Sequence, residues 1–259
     1  MTWDAELSFA HELADLADDL TFGAFGTERA RPDRKADGTP VTPADRDTEA
    51  ALRRAIGDRY PDHAVLGEED GLIGPEAAPR WIIDPIDGTS NFVKGNPIFA
   101  TLIALQVDGE EVLGVVSAPA LGSRWSATVG GPALQDGREI RVSDVKQLGD
   151  AEVAFGGLNY FQRKGALPLV EALATTTRRQ RGYGDFWQHC LVAAGSTDAA
   201  LEAAVSLWDL AAVKVVVEAA GGRFTDLDGR RAADGGSAVS TNGHLHDEIL
   251  DLVERHVSR

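Results

Sequence analysis

The sequence predicts an α+β fold, and three observations support this. Apolar residues recur at helical spacing within the first twenty positions, at Leu7, Ala10, Leu13, Ala14, Ala17 and Leu20. Short apolar segments then follow one another, and Asp108-Gly109-Glu110 between two of them is a strong hairpin signal. After about residue 150, helical and strand patterns alternate. A meander of strands followed by mixed elements predicts layers of helices on sheets.

The N-terminal elements are predicted to be two helices. The first covers residues 4–21. The second begins at Thr42, because a threonine suits the N-cap, Pro43 suits the first helical position and Asp45 suits the third.

Strands are predicted next, and Pro85 is expected to end one of them because proline has no N–H to donate to a sheet. The predicted strands cover residues 64–66, 81–83, 99–107, 112–117, 125–129 and 140–142, the last two in the same antiparallel sheet. The second half is predicted to contain helices at 166–176, 186–195, 209–220 and 244–257, a strand at 178–183, a short segment at 199–202 and a hairpin around Asp228-Gly229. No linker separates these elements, which predicts one domain over residues 1–259 with lobes of about 1–150 and 151–259.

Charge and cysteine content restrict the classes of function. The net charge is −16 with 41 acidic residues, and such a field repels nucleic acid and anionic membranes. The single cysteine, Cys190, forms no internal disulfide, which favours a reducing cytoplasm. The first residues contain no signal-peptide pattern, and no apolar run is long enough to span a bilayer.

Three acidic segments are candidates for a metal site. Asp84 and Asp87 follow an apolar strand and precede Gly88-Thr89, which predicts the start of a helix. Two carboxylates this close repel each other unless one binds a proton or a cation lies between them. The second and third acidic segments contain Glu68, in an acidic loop, and Asp209, at the start of a helix. Taken singly, a solvated loop and an N-cap explain Glu68 and Asp209 equally well.

Together, these segments resemble the inositol monophosphatase superfamily of metal-dependent phosphatases over nearly the whole chain. The resemblance rests on Gly67-Glu68-Glu69, on residues 84–92 (Asp-Pro-Ile-Asp-Gly-Thr-Ser-Asn-Phe), on residues 208–212 (Trp-Asp-Leu-Ala-Ala) and on residues 218–222 (Glu-Ala-Ala-Gly-Gly), in that order. It implies a layered αβαβα sandwich, a homodimer and a phosphoric monoester hydrolase that uses two or three Mg²⁺.

The resemblance also implies roles for individual residues. One Mg²⁺ would be held by Glu68, Asp84 and the Ile86 carbonyl. A second would be held by Asp84, Asp87 and Asp209, and Asp45 would help to hold a third. Gly88 and Thr89 would bind the phosphate through their backbone N–H groups. Glu68, Thr89 and Asp84 would be the catalytic residues, with Thr89 and Glu68 activating the attacking water, and Lys35 could approach the site.

The substrate is predicted from the segment Arg181–Trp187 and from Glu202. Asp185 beside Glu202 would suit a cationic leaving group, and Arg181 and Tyr183 belong to the same predicted substrate-binding segment. Residues 183–186 and 207–212 resemble the histidinol-phosphatase branch of the superfamily found in actinobacteria, which implies histidinol phosphate as substrate. Asp185 as a simple N-cap is the alternative at this position. An inositol-1-phosphatase or a broad small-molecule phosphatase, and a non-catalytic metal or phosphate sensor, are the alternative functions.

Overall fold

The computed structural model describes residues 2–35 and 38–257. Its eight α-helices are α1 (Asp4–Ala24), α2 (Pro43–Arg59), α3 (Thr89–Val93), α4 (Leu158–Arg163), α5 (Leu167–Thr176), α6 (Asp185–Ala193), α7 (Leu207–Ala219) and α8 (His246–His256). No helix in these described ranges combines the length and the apolar content that crossing a membrane requires.

The strands form a large sheet, a small sheet and a two-stranded ribbon. The ribbon is β1 (Asp33–Arg34) with β2 (Pro40–Val41). The large sheet contains β3 (Ala64–Gly67), β4 (Gly71–Ile73), β5 (Arg80–Asp87), β6 (Ala100–Val107), β7 (Glu110–Ala118), β8 (Ser123–Thr128), β9 (Leu134–Gln135) and β10 (Arg138–Glu139). The small sheet contains β11 (Glu152–Phe155), β12 (Arg179–Arg181), β13 (Ala199–Glu202), β14 (Arg223–Thr225) and β15 (Ala238–Thr241). Their spatial orders are 10-9-8-7-6-5-3-4 and 12-11-13-15-14.

The two sheets and the helices form the predicted αβαβα layers. Trp81 and Ile83 point from β5 into a core shared with α1 and α2, whereas Ile82 points into the core under α6 and α7. This alternation follows from the two-residue period of a strand. Phe224 of the small sheet joins the second core, and the other face of that sheet packs against α4, α5 and α8. The α+β class and the layered architecture are therefore confirmed.

Most predicted elements are confirmed, and three were wrong in detail. Residues 140–142 form no strand; the sheet ends instead in the hairpin of β9 and β10. The turn at Asp228-Gly229 lies within a longer connection, because β14 pairs with β15 across residues 226–237. Pro85 does not end its strand, since β5 continues to Asp87.

Candidate active site

The strand β5 places two acids on one side of the sheet by means of a bulge. Asp84 pairs with Leu102 of β6, and Asp87 pairs with Ala100, so three steps along β5 face two along β6. In a regular strand, residues three apart point to opposite faces, and one extra residue reverses that relation. Pro85 lies in the bulge, where its carbonyl oxygen accepts a 2.8 Å hydrogen bond from the Thr101 hydroxyl. Because Pro85 has no N–H to donate, the strand β5 bulges at this residue and does not end there.

Asp209 reaches the same point from the first turn of α7. It is the third residue of this helix and not its N-cap, and its carboxylate accepts a 2.7 Å hydrogen bond from the Ser206 N–H. One oxygen atom of each of Asp84, Asp87 and Asp209 lies within 4.8 Å of the others. These three carboxylates form the acidic cluster of the site.

Asp45 combines the two roles that the sequence left open. Its Oδ2 accepts a 2.7 Å hydrogen bond from the Thr42 N–H at the start of α2, which confirms the predicted cap. Its Oδ1 lies 3.2 Å from the Thr89 hydroxyl, which also lies 2.9 Å from the Ile86 carbonyl oxygen. Capping thus uses one oxygen atom of Asp45 and leaves the other facing the site.

Thr89 begins the short helix α3, and Gly88 precedes it in the left-handed conformation with φ 82°. A Cβ at Gly88 would lie 2.9 Å from the Ile98 carbonyl oxygen, so a side chain at this position has no room. The first N–H groups of a helix lack partners within it, so the Gly88–Thr89 turn offers donors beside the acidic cluster.

Glu68 follows β3, which runs parallel to β5, so both strands deliver their acids to the same edge of the sheet. The Lys35 ammonium lies 2.7 Å from both Glu68 Oε1 and Glu69 Oε1. This contact raises the pKa of Lys35, although burial opposes the shift. The expected approach of Lys35 to the site is therefore present in the structure.

An inner pocket of about 160 Å³ adjoins the acidic cluster, and Asp87, Asp185, Glu202 and Asp209 are among the residues lining it. Glu202 is buried and accepts a hydrogen bond from the Gln188 side chain. Gly156 makes room for Glu202, because a Cβ at Gly156 would lie 1.9 Å from Glu202 Oε2.

Asp185 is not the cap of α6. Gly184 precedes the helix, and the Phe186 N–H donates a 2.6 Å hydrogen bond to Asp87 Oδ2 instead. Asp185 has φ 50°, an uncommon conformation for a non-glycine residue, and its carboxylate accepts a 2.9 Å hydrogen bond from Asn91 Nδ2. The N-cap interpretation was wrong, and Asp185 is held toward the pocket.

Arg181 and Tyr183 lie outside the residues that line this pocket. Arg181 ends the edge strand β12, where it is exposed and donates to the Gln180 carbonyl oxygen at 2.7 Å. The Tyr183 ring packs edge-on against Trp187 at 5.0 Å between centroids. Neither residue therefore lines the inner pocket, and their assignment to substrate binding stays a prediction.

The crowded carboxylates have strongly raised pKa values. Burial and then the charges of Glu68, Asp87 and Asp209 raise the pKa of Asp84 well above its usual value. Burial is also the main cause for Asp87, whose pKa is raised well above its usual value, and for Asp209, whose pKa is raised to about 7. A divalent cation removes this penalty, and the donors present are oxygen atoms, which hard cations such as Mg²⁺ prefer. The residues therefore fit a metal ion of this kind.

His189 lines the pocket without supplying positive charge. Its Nδ1 lies 2.6 Å from the Ser240 hydroxyl, and burial lowers its pKa to about 3. The imidazole is therefore neutral near pH 7, and the pocket keeps its acidic character.

Several site residues were missed from the sequence. Asn91 belongs to the motif at residues 84–92, but its contact with Asp185 was not predicted, and Gln188 and Gly156 contact Glu202 from positions far away in the sequence. The helical spacing of α6 gives no signal that Gln188 is buried against an acid. No sequence pattern indicated that Tyr160 of α4 lines the pocket.

Carboxylates at the ends of two parallel strands, beside a helix start that suits phosphate, are the features expected of a metal-dependent hydrolase of phosphate monoesters. The chain belongs to the inositol monophosphatase family, whose model matches residues 3–258.

Two curated relatives named histidinol-phosphatase match nearly the whole chain. That of Mycobacterium tuberculosis is 49% identical over 95% of this chain and 96% of its own length, and that of Streptomyces coelicolor is 43% identical over 96% and 97%. Among solved structures, an inositol monophosphatase from Zymomonas mobilis superposes with a TM-score of 0.87 at 31% identity, covering 98% of this chain and 99% of that one.

Proposed function

We propose that this protein hydrolyses histidinol phosphate, a phosphate monoester whose leaving group carries positive charge. The inner pocket supports this, because Asp185 and Glu202, two carboxylates outside the proposed metal ligands, line it and no lysine or arginine of the described ranges does. Carboxylates in a partly buried pocket attract a cation far more strongly than they attract a neutral polyol. The likeness to the two histidinol-phosphatases supports the same substrate.

The proposed cofactor is Mg²⁺, with two or three ions at the site. The proposed ligands are the Ile86 carbonyl oxygen and the carboxylates of Asp45, Glu68, Asp84, Asp87 and Asp209. Glu68, Asp84 and Ile86 would form one site, Asp84, Asp87 and Asp209 a second, and Asp45 would contribute to a third. When bound, Mg²⁺ supplies the positive charge that stabilises phosphate oxygens and lowers the pKa of a bound water.

Thr89 and Glu68 are the proposed pair that prepares the attacking water. The single Thr89 proton is directed toward the Ile86 carbonyl oxygen and Asp45 Oδ1, which both accept hydrogen bonds. The lone pairs of the Thr89 hydroxyl then remain available to accept a hydrogen bond that orients the attacking water, and Glu68 would take up the proton that this water loses. The Gly88 and Thr89 N–H groups would bind the phosphate oxygens at the start of α3.

Asp185 and Glu202 are the proposed partners of the leaving group. Asn91 holds the first and Gln188 the second, so both acids are oriented before the substrate arrives. Preorganised carboxylates of this kind favour the amine and imidazole of histidinol over hydroxyl groups.

Phosphate release across a substrate panel tests the proposal. Histidinol phosphate should exceed inositol 1-phosphate by at least about 100-fold in kcat/KM, an effect of the size that unpaired buried polar groups produce. Activity should vanish in excess EDTA and return with Mg²⁺. Comparable values for both substrates would remove the histidinol phosphate assignment, and full activity in EDTA would remove the metal.

Asp185→Asn is the sharpest variant for substrate choice. Asparagine tolerates the positive φ at this position and keeps an acceptor for Asn91, so only the charge changes. The value of kcat/KM should fall at least about 10-fold for histidinol phosphate and by less than about 3-fold for inositol 1-phosphate. Equal losses on both substrates would show that Asp185 has no role in discrimination.

Two other functions are tested by the same assays. An inositol monophosphatase activity is favoured by the likeness to the Zymomonas mobilis structure, and it predicts that inositol 1-phosphate leads the panel. A non-catalytic sensor predicts binding of metal or phosphate without turnover, although both proposed water-activating residues, Glu68 and Thr89, are present.

The homodimer stays a prediction from the family resemblance, and the cytoplasmic location stays a prediction from the single cysteine. Light scattering after gel filtration at micromolar concentration tests the dimer, which predicts twice the mass of the 27.5 kDa chain. A monomer at that concentration would contradict it.

A further inference from the structure

The inner pocket opens into an outer cleft of about 960 Å³ that carries cations. Glu68 and Asp209 line this cleft together with Lys35, Arg163 and Lys164. On a chain with a net charge of −16, three cations around one opening oppose the field that the rest of the molecule produces.

Two of these cations are not neutralised by acids. Lys35 is bound to Glu68 and Glu69. Arg163 and Lys164, at the end of α4, are exposed and form no ion pair within residues 2–35 and 38–257. Their charges therefore act on the cleft itself.

Arg163 is held at the boundary between the two cavities. Its guanidinium carbon lies 4.6 Å from the centroid of the Tyr160 ring, a distance typical of a cation–π contact. Tyr160 lines both the inner pocket and the outer cleft. The segment thus presents positive charge on the outer side and leaves the acidic pocket on the inner side.

We propose that Arg163 and Lys164 form a recruitment site for the phosphate group of the substrate, an inference that rests on the proposed phosphatase function. The acidic surface repels a phosphate dianion, and two unpaired cations at the opening lower that barrier locally. Fields of this kind raise association with charged ligands by about 10- to 1,000-fold in favourable cases and weaken as salt increases. Arg163 and Lys164 act before the reacting atoms are in place, so they change kcat/KM and leave kcat unchanged.

The charge arrangement also orients a dipolar substrate. The outer rim of Arg163 and Lys164 attracts the phosphate end, and the inner pocket with Asp185 and Glu202 attracts a cationic end. Because the rim attracts net negative charge, removal of Arg163 and Lys164 should lower kcat/KM more for a phosphate ester with a neutral leaving group than for one with a cationic leaving group.

The test uses the double variant Arg163→Gln/Lys164→Gln in the Mg²⁺-loaded, full-length enzyme. At an ionic strength of about 0.02 M, kcat/KM for glycerol 2-phosphate should fall about 5- to 20-fold, with kcat within about twofold of the unchanged protein. At about 0.5 M the gap should shrink below about twofold because salt screens the charges. The Arg163→Lys/Lys164→Arg variant keeps both charges and should behave as the unchanged protein does.

Arg138→Gln/Lys146→Gln is the matched control. Both residues are exposed, neither lines the two cavities, and the control removes the same total charge. Calorimetric binding of inorganic phosphate gives a readout apart from turnover: affinity should fall in the rim variant and not in the control. Equal kcat/KM and equal salt dependence in the two double variants would overturn the inference, as would a loss confined to kcat.

Failure of the proposed function gives a different result. An unchanged protein that releases no phosphate from any monoester in Mg²⁺ would reject the phosphatase proposal. An active unchanged protein with an unaffected rim variant would reject only the recruitment site.

Discussion

Asp87 has both a structural role and a chemical role. Oδ2 accepts the Phe186 N–H at the start of α6, and one oxygen atom belongs to the cluster with Asp84 and Asp209. The same side chain therefore joins the proposed metal site to the helix that presents Asp185. Because the cluster is buried, its repulsion is a cost of folding that binding of a cation removes.

Asp87→Asn should separate activity from stability. The amide oxygen still accepts from Phe186, but a ligand charge is lost, so kcat/KM should fall by at least about 100-fold, the upper range for residues that only support metal ligands. Without Mg²⁺, the melting temperature should stay equal or rise, since one repelling charge is gone. Calorimetry and phosphate release check this. A marked loss of stability with retained activity would contradict it.

The buried His246 is expected to make the fold less stable at acidic pH. Burial lowers its pKa to about 4; its Nδ1 lies 2.9 Å from the Thr241 hydroxyl, and its Nε2 lies 3.1 Å from that of Thr225. The unfolded chain binds a proton below about pH 6.5 while the folded chain does not, so stability falls as the pH falls from about 6.5 to 4.

Urea unfolding at pH 7 and pH 5 measures this effect. The difference in unfolding free energy should be about 1–2 kcal/mol smaller in His246→Gln than in the unchanged protein, because the variant has no histidine to protonate there. His244→Gln, which replaces a more exposed histidine nearby, is the matched control for the substitution. An unchanged difference in His246→Gln would refute the assignment.

At the scale of elements, a buried ion pair fixes α7 on the large sheet. Lys214 is almost fully buried, and its ammonium lies 3.0 Å from Glu111 Oε2 of β7 and 3.4 Å from Glu218 Oε2 of its own helix. Since α7 also begins with the turn that carries Asp209, this contact helps to hold the helix that supplies a site acid.

Lys214→Met should cost about 3–5 kcal/mol of unfolding free energy, because Glu111 is left buried with an uncompensated charge. Adding Glu111→Gln should recover part of the loss, since the remaining polar group is neutral. A double-mutant cycle by chemical denaturation measures the coupling. A loss below about 1 kcal/mol in Lys214→Met would show that water reaches the pair.

Element boundaries illustrate what sequence patterns predict well. The hairpin at Asp108-Gly109 was predicted correctly because these residue types favour positive φ. In the structure the two residues have φ values of 52° and 83°. The continuation of β5 past Pro85 was missed, because a bulge depends on the pairing with β6 and not on local preference.

At the scale of the whole molecule, the acidic site couples metal binding to folding and pH. Without metal, the pKa of Asp209 is raised to about 7 and that of Asp185 to about 6. These carboxyls retain protons in the folded chain that the unfolded chain has lost. Their contribution to the stability of the metal-free fold is therefore largest below about pH 4. That contribution is lost as the pH rises through about 7.

Mg²⁺ should therefore raise the melting temperature more at pH 8 than at pH 5.5. Taking the difference with and without Mg²⁺ at each pH cancels groups outside the site, including His246. Asp209→Asn should flatten this dependence, because it removes both a proposed ligand and a titrating group. An equal or larger gain at pH 5.5 would contradict the coupling.

The sequence by itself determined the layers, the family and the acids of the cluster, because periodicity and short motifs encode local conformation and donor chemistry directly. The division of residues 1–259 into two lobes of one domain stays a prediction. Tertiary structure alone decided which polar groups meet: Asn91 with Asp185, Gln188 with Glu202, and Arg163 over Tyr160. It also left Arg181 and Tyr183 outside the lining of the inner pocket. These contacts join elements distant in the chain, and their geometry follows from how the sheets and helices pack, which no local pattern records.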